Sequence, residues 1–265
     1  MNNLPLFRRA LADSWRSLLG WTLGVLAVLA LYLPLFPAIG GSPDMAELLD
    51  SLPDELVKTI GYDQISTGAG YTQSTFYGLM GFLLLTIAAT AWGTAAVAGD
   101  EETGTLELTL AHGVSRSQVV LERTAAVAVR LAWLCLFSVG VILALNDSAQ
   151  LDIDPANAFA AAAALFGLTF LSGMFAIAVG AATGRRSYAT AAGAGVAVIG
   201  YALNAVANQN EDLEGLHAWS PYHWAYGDSP LAIGADWGGL GLLYGISAAL
   251  IVIAVIALNR RDLRG

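Results

Sequence analysis

Ser74–Gly99 reads STFYGLMGFLLLTIAATAWGTAAVAG, 26 residues without a single Lys, Arg, Asp or Glu. The hydrocarbon core of a bilayer needs about 20 predominantly apolar residues in a helix, so this run is expected to cross a membrane. Working outward, five further blocks share its character, and spans are placed at about 21–39, 74–99, 124–145, 157–182, 188–207 and 238–258. Composition agrees. Of 265 residues, 56% are hydrophobic and 12% charged, with a mean hydropathy of +0.61, whereas soluble domains run near 25% charged. The expected fold class is an all-α membrane protein, a single transmembrane domain over 1–265 with six transmembrane helices. Cys135, the one cysteine, lies inside an apolar block and can form no internal disulfide.

Orientation follows from the bases, which are enriched in cytoplasmic segments near span ends. With the N-terminus inside, Arg8, Arg9, Arg16, Arg116, Arg123, Arg130, Arg185, Arg186, Arg260, Arg261 and Arg264 all fall inside, and only Lys58 faces out. The acids concentrate in the outer segments, from Asp44 to Asp63, Asp147 to Asp154 and Glu211 to Asp236. Both termini are therefore expected in the cytoplasm and the chain in the plasma membrane of a bacterium or archaeon. The first span is not expected to be a cleaved signal peptide, since Leu31-Tyr32-Leu33-Pro34-Leu35-Phe36 offers no small-residue cleavage site.

The connecting segments carry local signals. Leu4 to Leu19 places Phe7, Leu11, Trp15 and Leu18 at helical spacing among Arg8, Arg9, Asp13 and Arg16, which predicts an amphipathic interfacial helix, either a basic anchor or also a contact for a cytoplasmic partner. The outer loop 40–73 has helix starts at Ser42-Pro43-Asp44 and at Pro53-Asp54-Glu55 with a stop at Gly61, predicting two short acidic helices. In the inner segment 100–122, Thr105 to Ala111 reads as a short amphipathic helix stopped by His112-Gly113. Ser115 with Gln118 forms a capping box opening a helix that can run to Leu145, about 46 Å at 1.5 Å per residue. A small helix is thus set crosswise between two long spans. Before the last span, Ser220-Pro221 and Ser229-Pro230 start two short helices of a re-entrant outer hairpin, surrounded by Trp219, Tyr222, His223, Trp224 and Tyr226. These rings form either an aromatic belt or an outer gate made of Trp219, Tyr222, Trp224 and Tyr226.

Several chemistries lack their residues. A GxxxxGK[ST] phosphate loop needs a lysine, and Lys58 follows Val57 on the outer side. No nucleotide-hydrolysis site, catalytic residue, cofactor or metal site is expected in this chain: His112, His217 and His223 form no HExxH, and only the last two share a side. No nucleic-acid partner is expected for a net charge of −9. The span centres are almost free of charge, as befits a cost of about 2.5 to 3.5 kcal/mol per central ion. Arg130 is the exception, expected to snorkel to the inner face or to pair with Asp100 or Glu122. Gly20/Gly24, Gly180/Gly184, Gly241/Gly245 and the run from Gly193 to Gly200 are small-residue spacings that let helices pack closely. Thr86, Thr90, Ser172 and Asn204 are the polar groups in apolar spans to probe for cargo.

Glu101-Glu102-Thr103-Gly104-Thr105-Leu106-Glu107-Leu108, followed by Gly113-Val114-Ser115-Arg116, resembles the E-x-GT-L-x-x-L … P-V-S-R segment of ATP-binding-cassette (ABC) permeases of the type-2 exporter class. The ending Asn259-Arg260-Arg261-Asp262-Leu263-Arg264 is similar to that family's RRDL tail, and Ser220-Pro221-Tyr222 to its SPF. Gly113 stands where the family often has Pro. The resemblance implies that the small helix is a coupling helix seated on a separate ABC ATPase subunit, which would hold ATP and Mg. Glu101, Glu102, Gly104, Thr105, Glu107, Leu108 and Arg116 would then form the coupling segment. It also implies a second permease copy, identical or a sister, with the lipid bilayer around the pair. An ion-coupled transporter or channel, and a membrane enzyme or assembly subunit, are the competing classes.

Overall fold

The computed structural model describes residues 4–39, 42 and 65–261. Every regular element among them is helical, and six helices are long and apolar enough to cross a membrane. The two acidic helices expected around Pro43 and Pro53, and the tail from Asp262 onward, lie outside the described residues.

The chain opens with α1 (Pro5–Asp13) and α2 (Trp15–Tyr32), the latter prolonged by a 3-10 stretch (Leu33–Ala38) containing Pro34 and Pro37. The sequence predicted one amphipathic helix through Leu19 and a span from about residue 21. Instead the chain breaks at Ser14, whose hydroxyl donates to the Ala10 carbonyl at 2.7 Å, and the first span begins at Trp15. A side chain that competes for backbone acceptors is a common reason for such a break. Leu6 and Ala10, one turn apart, are the buried positions of α1; Phe7 and Leu11 are half-buried and Trp15 is exposed.

The second span, α3 (Gly68–Glu102), starts earlier than expected because Thr67 accepts from Gly70 N–H and caps it. It is α-helical except at two wider-wound π-helical stretches, Gln73–Met80 and Ala95–Gly99. A short helix α4 (Thr105–Ala111) follows, then α5 (Arg116–Leu145), both as expected. Only half of the capping box forms: Ser115 Oγ accepts from Gln118 N–H at 3.1 Å, but the Gln118 amide reaches forward to Glu122 at 2.6 Å. The remaining spans are α6 (Pro155–Thr183), α7 (Arg186–Ala207) and α10 (Trp237–Arg260). Between α7 and α10 lie a 3-10 stretch (Glu211–Trp219), α8 (Pro221–Tyr226) and α9 (Pro230–Ile233).

The centre of the bundle is α6, packed against α3, α5, α7 and α10, while α1 and α2 lie on the outside of α5. Lipid is as apolar as leucine, so these helices associate by close packing of small residues. A Cβ at Gly93 would stand 2.6 Å from the Gly173 carbonyl, and one at Gly193 would stand 2.8 Å from the Ser172 carbonyl. Gly180 likewise seats Ala98. Its expected partner Gly184 instead ends α6 at φ +67°, and a Cβ at Gly20, Gly24, Gly241 or Gly245 would meet nothing within 4 Å among the described residues.

These contacts make a paired prediction. Gly193→Val is expected to destabilise the bundle by about 1–3 kcal/mol through overpacking, seen as a lower melting temperature in detergent. Gly241→Val, where a Cβ meets nothing within 4 Å among the described residues, is expected to leave the melting temperature of the isolated chain unchanged; equal losses in both would contradict the packing described.

Candidate functional site

One end of the bundle gathers α1, α4 and the described end of α10. Gly104 at φ +71° turns the chain from the end of α3 into α4, in a backbone region that strains residues with a Cβ. Leu106 is fully buried and Leu110 packs against the core, anchoring α4, whereas Leu108 is 65% exposed, with Glu107 half-buried beside it. The small helix therefore has a held face and an unpartnered one.

The three carboxylates just before it each reach a different helix. Asp100 accepts from Arg123 of α5 at 2.5 Å. Glu101 pairs with Arg261, directly after α10. Glu102 accepts from the backbone N–H of Arg186, the first residue of α7, at 2.8 Å, with the Arg186 Nε at 3.8 Å. A carboxylate suits this last position, where the helix presents unpaired N–H groups and the positive end of its dipole. Only the Glu102–Arg186 pair is exposed, and such pairs contribute about 0–1 kcal/mol; the other two are largely buried. Their shared significance is geometric, since three consecutive residues tie the end of α3 to α5, α7 and the end of α10.

Arg116 Nη1 donates to the carbonyls of Leu258, Asn259 and Arg261 at 2.9, 3.3 and 2.6 Å, covering the C-terminal acceptors of α10. Of the residues expected in the coupling segment, Thr105, Glu107 and Leu108 stay at the surface, while Glu101, Glu102 and Arg116 bind the chain to itself. Glu122, which sequence reading named only as a partner for Arg130, is 2% exposed and accepts from Phe7 N–H at the start of α1 and from Gln118. No local signal marks it, because its main partner lies 115 residues away.

Among the described residues Arg130 pairs with no acid, and its side chain runs back along α5 toward Ala126. It is buried, its guanidinium lies 4.7 Å from the centroid of the Trp92 ring, and its Nε donates to the Ala126 carbonyl. Asp100 and Glu122 are engaged elsewhere, and a desolvated cation over an indole face is worth about 2 kcal/mol.

At the opposite end, the four expected gate rings do not converge. Tyr222 is tucked among Phe82, Tyr201 and Tyr226 at centroid distances of 5.4, 5.2 and 5.2 Å, and its hydroxyl donates to the Gly78 carbonyl. Tyr226 is buried, Trp224 is half-buried with its indole N–H on the Ala218 carbonyl, and Trp219 is 75% exposed. Ser220 explains the inward position of this segment: its hydroxyl donates to Gly200 of α7 and accepts from His223 N–H.

The His217 and His223 rings stack here at 3.9 Å, with Asn208 and Asn204 as their respective hydrogen-bond partners. Burial chiefly, and then His217, lower the pKa of His223 below 6.5, against the opposing pull of Asp228 and Asp236. A lowered imidazole pKa favours the neutral form in the folded state. The corresponding stability is present above about pH 6.5 and is lost as pH falls below it. Faster proteolysis of segment 209–237 on acidification to roughly pH 5 is the expected result, with a flatter response in His217→Gln.

Between α3 and α7 lies a groove of 460 Å³. Thr86, Thr90 and Thr94 line its buried side; Ile87, Ala91 and Thr190 form part of an exposed rim; and Arg186 stands at one end. The Thr94 and Thr190 hydroxyls meet at 3.2 Å. Of the polar residues singled out for cargo, Thr86 and Thr90 thus share one groove. Ser172 is buried against its own helix, and Asn204 is engaged with His223.

Residues 4–263 match a family model described as ABC-2 family transporter protein. No curated protein matches the chain.

Proposed function

The chain belongs to the ABC-2 transporter family, as a multi-pass membrane permease of an ABC transporter, and on that premise we propose that it is the permease subunit of an ATP-driven exporter powered in trans. Membership implies association with ABC ATPase subunits. In this reading α4 is the coupling helix: it presents Leu108 and Glu107 to the ATPase in the cytoplasm, where both chain termini also lie. The observation that carries the reading is that the residues leading into α4, Asp100 to Glu102, contact α5, α7 and the end of α10. A displacement of α4 by a closing ATPase would thereby reach several spans at once.

Two copies, or this chain with a sister permease, would form the path between them. The glycines of α2 and α10 beside which a Cβ would meet nothing among the described residues, Gly20, Gly24, Gly241 and Gly245, give close-packing surfaces for such a pair. ATP and Mg would be held by the ATPase, and this chain would perform no covalent chemistry.

The test is purification of the tagged chain from its native membrane in mild detergent, with ATP hydrolysis assayed on the product. An ATPase subunit is expected to accompany it. Recovery of the chain without any nucleotide-binding partner, together with transport that persists when the encoded neighbours are removed, would overturn the reading.

A further inference from the structure

Arg130 is a cation held within a membrane-spanning helix without an anion. Among the described residues it meets no carboxylate: Asp100 accepts from Arg123, and Glu122 from Phe7 N–H and Gln118. The charged group that acts on it is Arg123, a second cation. A guanidinium carries five N–H donors, and among the described residues only Nε–H is bonded, to the Ala126 carbonyl at 2.9 Å. Trp92 presents its ring face to the cation but supplies no acceptor for the two Nη atoms. Ionisable residues inside spans are costly and rare, and they mark places where a partner is bound.

The free nitrogens are within reach of a ligand. Arg130 is 7% exposed, and its Nη atoms, unlike Nε of Arg123 and Arg261, are not sealed from their surroundings. Its neighbours on α5, Val129 and Trp133, are exposed, whereas Leu131 and Leu134 are fully buried. Arg130 therefore stands where the packed face of α5 meets its outward face. Depth selects the partner. Arg130 is seven residues beyond Arg123, about 10 Å along the helix, and its reach back toward Ala126 recovers about 6 Å of that. With α4 in the cytoplasm, this is the head-group level of the cytoplasmic leaflet. A soluble anion would have to leave water to arrive here, whereas a phospholipid carries its phosphate at this depth.

We propose that Arg130 binds the phosphate of one phospholipid of the cytoplasmic leaflet. The phosphate supplies the missing counter-charge and the acceptors for the Nη atoms, in the bidentate manner usual for arginine and phosphate. It joins a chain of contacts already present across three helices, since the Trp92 indole N–H of α3 donates to Ser17 Oγ of α2 at 3.3 Å and the Trp92 ring carries Arg130 of α5. Trp92 lies about two turns before Asp100, so the lipid steadies the part of α3 that leads to the three carboxylates. The site requires only the membrane orientation and no ATPase.

The experiment is native mass spectrometry of the purified, delipidated permease, titrated with phosphatidylglycerol and, in parallel, with diacylglycerol of the same acyl chains, which lacks the phosphate. One phosphatidylglycerol is expected to bind roughly tenfold or more tightly than diacylglycerol, as a charge-assisted contact warrants. Arg130→Gln is expected to bring the two lipids to about equal affinity, and Arg130→Lys to keep part of the preference. Arg16→Gln, which removes an exposed charge near the start of α2, is expected to leave the preference unchanged. Inorganic phosphate in large excess is expected not to displace the lipid. Equal affinity of the wild type for the two lipids, a preference that survives Arg130→Gln or disappears in Arg16→Gln, or displacement by inorganic phosphate each overturns the proposal. The first of these is read on the wild type and holds whether or not Arg130→Gln folds. Because no ATPase enters the measurement, its failure is distinct from that of the exporter reading.

Discussion

Leu108→Asp combined with Glu107→Arg is expected to release the ATPase from the permease while leaving the permease folded. Leu108 is a large apolar side chain, 65% exposed, on a helix whose opposite face is fixed by buried Leu106. Among the described residues nothing covers its outer surface. If that surface seats in an ATPase groove, a charge at its centre acts on an interface hot spot, where truncations cost about 2 kcal/mol or more, equivalent to roughly a 30-fold loss of affinity. The measurement is recovery of ATPase with the tagged permease, alongside its melting temperature. Full retention of the ATPase would remove α4 from the interface. Arg116 is a poor site for this test despite its place in the motif, because its guanidinium covers the carbonyl end of α10 and a charge reversal there would disturb the fold itself.

The second large effect separates binding from transmission. Glu101→Gln with Glu102→Gln leaves the Leu108 face intact but removes the charges facing Arg261 and Arg186. The ATPase is expected to remain bound and to hydrolyse ATP near the wild-type rate. Transport per ATP is expected to fall by roughly an order of magnitude, which corresponds to about 1.4 kcal/mol of lost coupling. In proteoliposomes this appears as hydrolysis without flux. Unimpaired flux would show that movement of α4 travels by another route, and loss of the ATPase itself would place these carboxylates in the interface.

What could be read from the sequence was what depends on neighbours in the chain. Spans announce themselves by uncharged runs, and α4 is delimited by Gly104 and His112-Gly113, local signals that hold whatever packs around them. The start of α5 at Ser115 is legible for the same reason. The partners of Asp100, Glu101, Glu102 and Glu122 were not legible, because each contact joins residues that only the folded bundle brings together. Arg130 shows the limit most sharply: charge rules send it to water or to an acid, whereas the structure gives it the face of Trp92, a partner without formal charge. The aromatic residues near the last span were ambiguous because Tyr and Trp serve equally at an interface and in a core. The bond from Ser220 to Gly200 draws Tyr222 and Tyr226 inward and leaves Trp219 outside. The groove went unseen as a groove because Thr86, Thr90 and Thr190 become neighbours only when α7 lies along α3.

The π-helical stretch Ala95–Gly99 sets the azimuth at which the three carboxylates leave α3. An α-helix advances about 100° per residue and the wider-wound stretch advances less, so rewinding Ala95–Gly99 as ordinary α-helix without changing its length would over-rotate Asp100, Glu101 and Glu102 about the axis and carry all three off their partners together. The same stretch lets the upstream part of α3 keep its phase against α6 while the downstream part keeps a different phase against the arginines. Core packing and transmission geometry are thus set by separate segments of one helix, and sequence change can adjust either without retuning the other.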